Sequence, residues 1–242
     1  MPMFSTENKK IISDRYTNRY LKYGYDPKTL GWDKGKQISR YFTLLSGFNL
    51  EGKKILDIGC GFGDGIKVIK HFTSNFEYLG IDIVDCLIDE AKSRYTDDNI
   101  KFISGDFLAI DDLNDYDIVI GSGIFNFKLL EQDNYDFISN VLNKSYSICN
   151  DGIAFDFLSN KVSYELENTF HSDPSVILSK YYELTNNIEL INSVMPFEFS
   201  VIASKKDKFE REDTLFESYK QSKEFQICLD IEKESRIKNQ EG

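Results

Sequence analysis

From about residue 53 onward, short apolar runs alternate with amphipathic stretches. The apolar runs have the length of buried strands, and the first several are separated by segments whose apolar residues recur at helical spacing. Helices are predicted over GIKVIKHF, over 86–95, over 135–149 and over 174–184, where Asp173 caps and Pro174 opens the helix. The predicted strands are KILDI (54–58), EYLGID (77–82), NIKFIS (99–104), YDIVIG (116–121), GIAFDFLS (152–159), IELINS (188–193) and EFSVIAS (198–204).

This alternation predicts an α/β domain with a seven-stranded, mostly parallel sheet and helices on both faces. The last two strands are joined only by VMPF, which is too short for a crossover helix. They are therefore expected to be antiparallel neighbours.

The first 50 residues show little strand character and read as helical. Tyr16, Tyr20, Leu21 and Tyr23 form one loosely helical set. A second helix is expected from Ile38, with Ile38, Phe42 and Leu45 on one face. Residues 206–242 are charge-dense, and a helical extension or a frayed tail fits them about equally well.

Composition and charge narrow the function classes. The chain has 242 residues, is 41% apolar, and carries 40 Asp plus Glu against 29 Lys plus Arg. A net charge of −11 disfavours non-specific nucleic-acid binding. No apolar run is long enough to span a membrane, and the first ten residues lack a secretory signal, so we expect a cytoplasmic protein. The four cysteines are widely spaced, which is typical of free thiols, and no metal site is expected.

The most informative segment is KKILDIGCGFGDG, residues 53–65. A buried strand ends near Asp57, and Gly59, Gly61 and Gly63 then lead into a helix, so the backbone can approach a ligand closely. The spacing is G-x-G-x-G, whereas dinucleotide sites use G-x-G-x-x-G to hold a pyrophosphate. An acid two residues before the first glycine would repel a diphosphate and suits a ligand with positive charge and hydroxyl groups.

Residues 50–205 resemble the class I S-adenosylmethionine-dependent methyltransferases in the order and spacing of four elements. The first is the acid and glycine loop, and the second is Asp82 at the end of the next strand, where an acid can bind ribose hydroxyls. The third is SGDF, with Asp106 and Phe107, and the fourth is YDIVIGSGIFNF. The resemblance implies a Rossmann-like sheet with an antiparallel last strand, and S-adenosylmethionine as the cofactor.

The resemblance also implies roles for single residues. Asp106 would face the adenine amino group, Phe107 would pack near the ring, and Ser122 and Gly123 would lie where the reacting methyl group sits. The implied organisation is a helical lid over residues 1–50, a methyltransferase domain over 51–205 and a C-terminal extension over 206–242. The residues expected to bind the cofactor are Trp32, Gln37, Asp57, Gly59, Cys60, Gly61, Asp82, Ile83, Asp106, Phe107, Ser122 and Gly123.

The sequence lacks the motifs of several other methyltransferase classes, which limits the kinds of acceptor to be expected. The fourth motif is not the Asn/Asp-Pro-Pro-aromatic signature of base-methylating enzymes. No paired acids mark a protein arginine methyltransferase, and no Asp…Asp-Asn set marks a catechol-type magnesium site. The expected acceptor is therefore a small molecule, such as a sugar, an amino sugar or a phospho-metabolite for surface polysaccharide or natural-product synthesis, methylated on oxygen or nitrogen.

Three residues are catalytic candidates, each with a simpler alternative. Asn126 could orient the acceptor and Lys128 could bind its anionic group, or they could be a loop cap and a solvated charge. His171 is the one obvious neutral base near pH 7, although a surface histidine is the simpler interpretation. Trp32, the sole tryptophan, could face the sulfonium or anchor the N-terminal segment to the core.

The leading hypothesis is thus a methyltransferase acting on a small molecule. The alternative is a cofactor-binding regulatory or scaffolding protein without catalysis, because the cofactor half of the pattern is explicit and the acceptor half is not. Neither nucleic acid nor a membrane is an expected partner, and the sequence does not decide between a monomer and a homodimer.

Overall fold

A computed structural model describes residues 5–31, 36–130, 132–206 and 214–240, the last seven of these by their backbone alone. The strands and helices alternate as the sequence predicts, and a 3-10 turn spans Phe107–Ala109. The strands are β1 Lys53–Ile58, β2 Phe76–Asp82, β3 Ile100–Ser104, β4 Tyr116–Gly121, β5 Cys149–Leu158, β6 Ile188–Ile191 and β7 Glu198–Ser204. The helices are α1 Thr6–Tyr23, α2 Gln37–Leu45, α3 Gly65–Phe72, α4 Asp85–Arg94, α5 Asn134–Ile148, α6 Pro174–Tyr182, α7 Glu217–Lys220 and α8 Lys223–Gln240.

The seven strands form one sheet in the order β3-β2-β1-β4-β5-β7-β6. Strands β1 to β5 are parallel, and β7 runs antiparallel to both β5 and β6. The expected sheet and its antiparallel last strand are therefore confirmed. The strand order reverses between β1 and β4, and ligands of open α/β sheets bind in the crevice outside the carboxyl ends of the strands at such a point.

Helices cover both faces of the sheet, and the side chains of β1 alternate between them. Ile55 packs with the buried residues of α2, α3 and α4, whereas Leu56 and Ile58 pack with those of α5 and α6. Asp57 shares the face of Ile55 and is fully buried there. Because side chains alternate along β1, the position of each residue in the strand decides which face of the sheet it occupies.

The structure corrects the predicted buried face of α2. Ile38 and Phe42 are 44% and 52% exposed, and the buried apolar residues are Tyr41, Leu44 and Leu45. Leu45 is buried as predicted, and Tyr41 takes the buried position expected for Ile38 and Phe42, within hydrogen-bond reach of the carboxyl group of Asp57. Phe42 instead packs on the surface.

Two of the helices that cover the sheet begin at an aspartate. Asp133 and Asp173 cap α5 and α6 by accepting hydrogen bonds from backbone N–H groups of the first turn, as the sequence predicts for Asp173. Helices α7 and α8 follow the sheet in the charge-dense C-terminal region. In the part of the chain that the structure describes, no helix has the length and apolar character needed to cross a lipid bilayer.

Candidate functional site

A cavity of about 390 Å³ opens at the carboxyl ends of the parallel strands, where the strand order reverses. Its floor is formed by the loops that follow β1, β2, β3 and β4, and α1 forms one wall. The predicted cofactor residues that line it are Gln37, Gly59, Gly61, Asp82, Ile83, Asp106, Phe107, Ser122 and Gly123.

The glycine loop requires glycine for both its conformation and its packing. Gly59, Gly61 and Gly63 have φ angles of 68°, 54° and 76°, a region that other residues rarely adopt. A Cβ atom on Gly59 would lie 2.3 Å from Cγ2 of Ile124 in the loop after β4. The glycines therefore let the loops after β1 and β4 approach each other at the floor of the cavity.

Asp82 ties the glycine loop to the end of β2. Its Oδ2 atom accepts the N–H of Gly61 at 2.9 Å, and its Oδ1 atom accepts the N–H of Val84 at 3.0 Å. Burial raises the pKa of Asp82 to about 6, and the N–H groups of Gly61 and Val84 act in the opposite direction. Because each oxygen has a second lone pair, the carboxylate can still accept two hydroxyl groups from a ligand in the cavity.

Two lysines, Lys9 in α1 and Lys144 in α5, hold the segment that follows β3. Oδ1 of Asp106 accepts the N–H of Leu108 at 3.0 Å, and the ammonium group of Lys9 in α1 lies 2.8 Å from Oδ2. Lys144 in α5 donates to the carbonyl oxygens of Phe107 and Ile110 at 2.6 and 2.5 Å. The Phe107 side chain is thus fixed at the cavity wall.

Sequence reasoning missed Asp156, which organises the end of β4. Its two oxygens accept the hydroxyl group of Ser122 and the N–H of Gly123, both at 2.6 Å, and its exposure is 1%. Burial raises the pKa of Asp156 to about 6, against the opposing charge of Arg40. The sequence does contain a signal for Asp156: it lies between Phe155 and Phe157 in a mostly apolar strand. A buried acid needs hydrogen-bond partners, so an acid at this position indicates a structural or functional role.

Four predicted site residues lie outside the cavity lining. Asp57 accepts the hydroxyl group of Tyr78 at 2.8 Å on the opposite face of the sheet, and Cys60 is buried against Gly80. Lys128 is exposed, and its backbone N–H donates to the carbonyl oxygen of Asn168. His171 has both ring nitrogens within hydrogen-bond distance of chain atoms, the Ser159 carbonyl oxygen at 2.8 Å and the Thr169 hydroxyl oxygen at 3.1 Å.

Of the three catalytic candidates, the cavity is lined by Asn126 alone. Trp32 lies outside the described residues, although Gly31 and Gln37 on either side of it in sequence both line the cavity. The remaining predictions of cofactor contact at Asp57 and Cys60 have no support from the placement of these side chains.

Helix α1 lies across the cavity and is pinned at both ends. Asn8 is fully buried, and its amide group donates to the carbonyl oxygen of Leu130 and accepts the N–H of Leu130, both at 2.9 Å. Near the other end, the hydroxyl group of Tyr20 donates to Glu90 at 2.6 Å. Between these anchors, the helix lines the cavity with Ile12, Arg15, Tyr16 and Arg19.

The buried acids make stability depend on pH. Burial raises the pKa of Asp57 to about 7 and the pKa values of Asp82 and Asp156 to about 6, above the ~3.9 of an unfolded aspartate. The folded state therefore holds more protons in this range, and the free energy of unfolding falls as the pH rises through about 7. We expect the Tm by calorimetry to be higher at pH 5.5 than at pH 8.

Asp57→Asn should raise the Tm at pH 8 and flatten this dependence, because a buried carboxylate is replaced by a neutral group. A gain of 1 kcal/mol corresponds to about 2–4 °C for a chain of this size. An unchanged slope in the variant, or a higher Tm at pH 8 than at pH 5.5 in the wild type, would show that these acids are not buried as charged groups.

Comparison with known proteins places the glycine loop and the first four strands in one family. The family model described as a methyltransferase domain matches residues 55–144. An uncharacterized protein of Rickettsia prowazekii is 30% identical over 147 residues, which are 55% of this chain and 57% of that protein. The fatty-acid O-methyltransferase of Mycolicibacterium smegmatis is 26% identical over 95 residues, which are 36% of this chain and 35% of that protein. The chain thus spans only about half, or less, of the length of these curated relatives.

Among solved structures, the magnesium protoporphyrin IX methyltransferase of Synechocystis PCC 6803 with bound SAH matches with a TM-score of 0.61. The alignment covers 81% of this chain and 99% of that one at 14% identity, a level at which the likeness concerns the fold. Residues 55–144 thus match a methyltransferase domain, and the chain shares its fold with a methyltransferase whose structure holds SAH.

Proposed function

We propose that this protein binds S-adenosylmethionine in the cavity and transfers its methyl group to a small-molecule acceptor. The observation that carries the proposal is the convergence of a glycine loop, Asp82 and Asp106 on one cavity at the switch point of the sheet. The names of relatives point the same way, since one of them is a fatty-acid O-methyltransferase.

The chemistry of the cavity fits this cofactor better than a dinucleotide. The loop after β1 has no side chain at Gly59 and Gly61, and the N–H of Gly61 donates to the carboxylate of Asp82, which also lines the cavity. The carboxylate of Asp82 can accept ribose hydroxyl groups, and the glycine spacing G-x-G-x-G differs from the G-x-G-x-x-G of pyrophosphate sites. The bound cofactor would supply an activated methyl group.

The residues of the chain then have separate tasks. Asp82 would hold the ribose, and Asp106 and Phe107 would hold the adenine. Asp156 would position Ser122 and Gly123 at the floor where the acceptor meets the methyl group. The wall formed by α1 would exclude water from the reaction.

The organisation expected from the sequence remains part of the proposal. Residues 1–50 would serve as the lid, 51–205 as the catalytic domain and 206–242 as an extension. The sugar, amino-sugar and phospho-metabolite acceptors stay predictions, as does the choice between oxygen and nitrogen.

Turnover separates this proposal from the alternative of a regulatory or scaffolding protein. The purified chain is incubated with methyl-labelled S-adenosylmethionine and a metabolite extract, and the expected result is label in small molecules together with released S-adenosylhomocysteine. Heat-inactivated protein is the control. Tight cofactor binding without any release of S-adenosylhomocysteine would favour the non-catalytic alternative, and absence of both would refute the proposal.

A further inference from the structure

The half of the cavity beyond β4 has apolar walls. The residues proposed to hold the ribose and the adenine follow β2 and β3, which leaves the side of β4 and β5 for the acceptor. The apolar lining residues on that side include Ile12 from α1, Ile124 and Phe127 from the loop after β4, Leu158 at the end of β5, and Leu166 beyond it. Walls of this kind accommodate a hydrocarbon or aromatic body and offer little to the hydroxyl groups of a sugar.

Besides Arg15 and Arg19 of α1, which line the same cavity, the polar side chains near these walls include Thr169 and Asn126. The hydroxyl group of Thr169 donates to the carbonyl oxygen of Leu166 at 2.9 Å. Oδ1 of Asn126 accepts the N–H of Leu158 at 3.3 Å, which identifies this atom as the oxygen of the amide. Among the described residues, Nδ2 of Asn126 has no partner, so it remains available as a hydrogen-bond donor.

This half also lacks a base. None of its described lining residues is an acid or a histidine. His171, which the sequence suggested for this task, lies outside the lining with both ring nitrogens against Ser159 and Thr169. An acceptor hydroxyl group would therefore keep its proton, and a group that is already an anion at neutral pH would not need a base.

We infer that the acceptor is an apolar carboxylic acid, methylated on a carboxylate oxygen to give its methyl ester. The inference rests on the proposed function and names the substrate class for the same site. The carboxylate oxygen forms the new O–CH₃ bond while the S–CH₃ bond breaks, and the electron pair of that bond stays on sulfur. No proton is released, since a carboxylate and a sulfonium become a neutral ester and a neutral thioether.

The electrostatics of the apolar walls suit this reaction. Opposite charges attract most strongly where water is excluded, and a reaction that neutralises both leaves no charge in the low-polarity site. The Nδ2 atom of Asn126 would donate to the carboxylate and orient it. Selection then comes from the apolar body, in contrast to the sugar class that the sequence suggested.

The test uses the full chain with methyl-labelled S-adenosylmethionine and separate candidate acceptors. The acids are octanoate, decanoate, dodecanoate and phenylacetate, and the comparison compounds are glucose and glucosamine. Methyl esters release volatile labelled methanol in base, whereas methyl ethers and methylamines do not. We expect base-labile label with at least one acid and none with the two sugars.

Asn126→Asp is the matched variant, because a carboxyl oxygen can still accept the N–H of Leu158 while the donor is lost and a repelling charge is added. We expect kcat/KM for the acid to fall at least about tenfold, the loss of one charge-assisted hydrogen bond, and the affinity for S-adenosylhomocysteine to stay within about twofold. Asn143→Asp makes the same change on the exposed surface of α5 and should alter neither value.

The outcomes separate this inference from the proposed function. Base-stable label, turnover of the sugars, or no turnover of any acid by protein that binds S-adenosylhomocysteine would overturn the carboxylate assignment and leave the cofactor site standing. Failure to bind S-adenosylhomocysteine would refute both. Full activity of Asn126→Asp on an acid would show that Asn126 does not bind the acceptor.

Discussion

Asp82→Ala is expected to weaken the binding of S-adenosylmethionine at least about tenfold, measured by equilibrium dialysis with labelled cofactor. The variant would lose two hydrogen bonds from ribose hydroxyls, each worth about 1.5–3 kcal/mol when the acceptor is charged. It would also release the N–H of Gly61, which Asp82 holds at 2.9 Å, so the glycine loop would lose its tie to β2.

Asp82→Asn should have a smaller effect, because the amide keeps one acceptor oxygen and loses the charge. Asp97→Ala is the matched control, since Asp97 is a half-exposed acid paired with Lys70 on the surface. We expect the control to bind the cofactor like the wild type. If a folded Asp82→Ala protein also binds normally, Asp82 belongs to the loop structure alone.

Removal of α1 is expected to reduce turnover by on the order of 100-fold while leaving a folded sheet. The seven strands and their two cores are formed mainly by residues after 40, whereas α1 supplies one wall of the cavity. Without it, water would reach the transferring methyl group and the acceptor would lose the contact with Ile12. A truncated chain starting at residue 25 should still melt cooperatively by circular dichroism.

Asn8→Ala tests the same wall by a single change. The two hydrogen bonds between the buried Asn8 side chain and the backbone of Leu130 are lost, so the helix should be held less firmly over the cavity and kcat should fall. Asn18→Ala on the exposed side of the same helix is the control and should have no effect. Wild-type turnover by the truncated chain would mean that α1 only packs on the domain.

Several residues that the sequence singled out and that line the cavity are set by local geometry. The strand, the glycines and Asp82 follow one another within 30 residues, and each has a backbone reason for its residue type. Asp106, at the start of the 3-10 turn, was expected from the family resemblance, and it lines the same cavity. The repeated order of strand and helix was enough to give the sheet and its antiparallel edge.

The parts that the sequence could not give depend on contacts between distant segments. Asp156 meets Ser122 across 34 positions, and nothing in either segment marks the other. Asp57 points to the face opposite the cavity because of strand parity, although its place in the motif suggested a ligand contact. In α2 the buried Tyr41 bonds to Asp57, and the spacing of apolar residues in the helix does not predict a contact with a polar partner.

The apolar walls of the acceptor half belong to the same class of feature. Ile12, Leu158 and Leu166 come from three separate parts of the chain and meet only in the folded cavity. In the sequence, nothing distinguishes any of the three from an ordinary core or surface residue. Substrate class is therefore the property that most needed the structure.

A calorimetric titration of the wild-type chain with S-adenosylhomocysteine, with NAD as the comparison ligand, tests the central claim most directly. If Asp82 holds the ribose of S-adenosylmethionine as proposed, the chain should bind one equivalent of S-adenosylhomocysteine and show no measurable heat with NAD. Binding of NAD instead, or of neither ligand by a folded chain, would contradict the assignment of this cavity to S-adenosylmethionine.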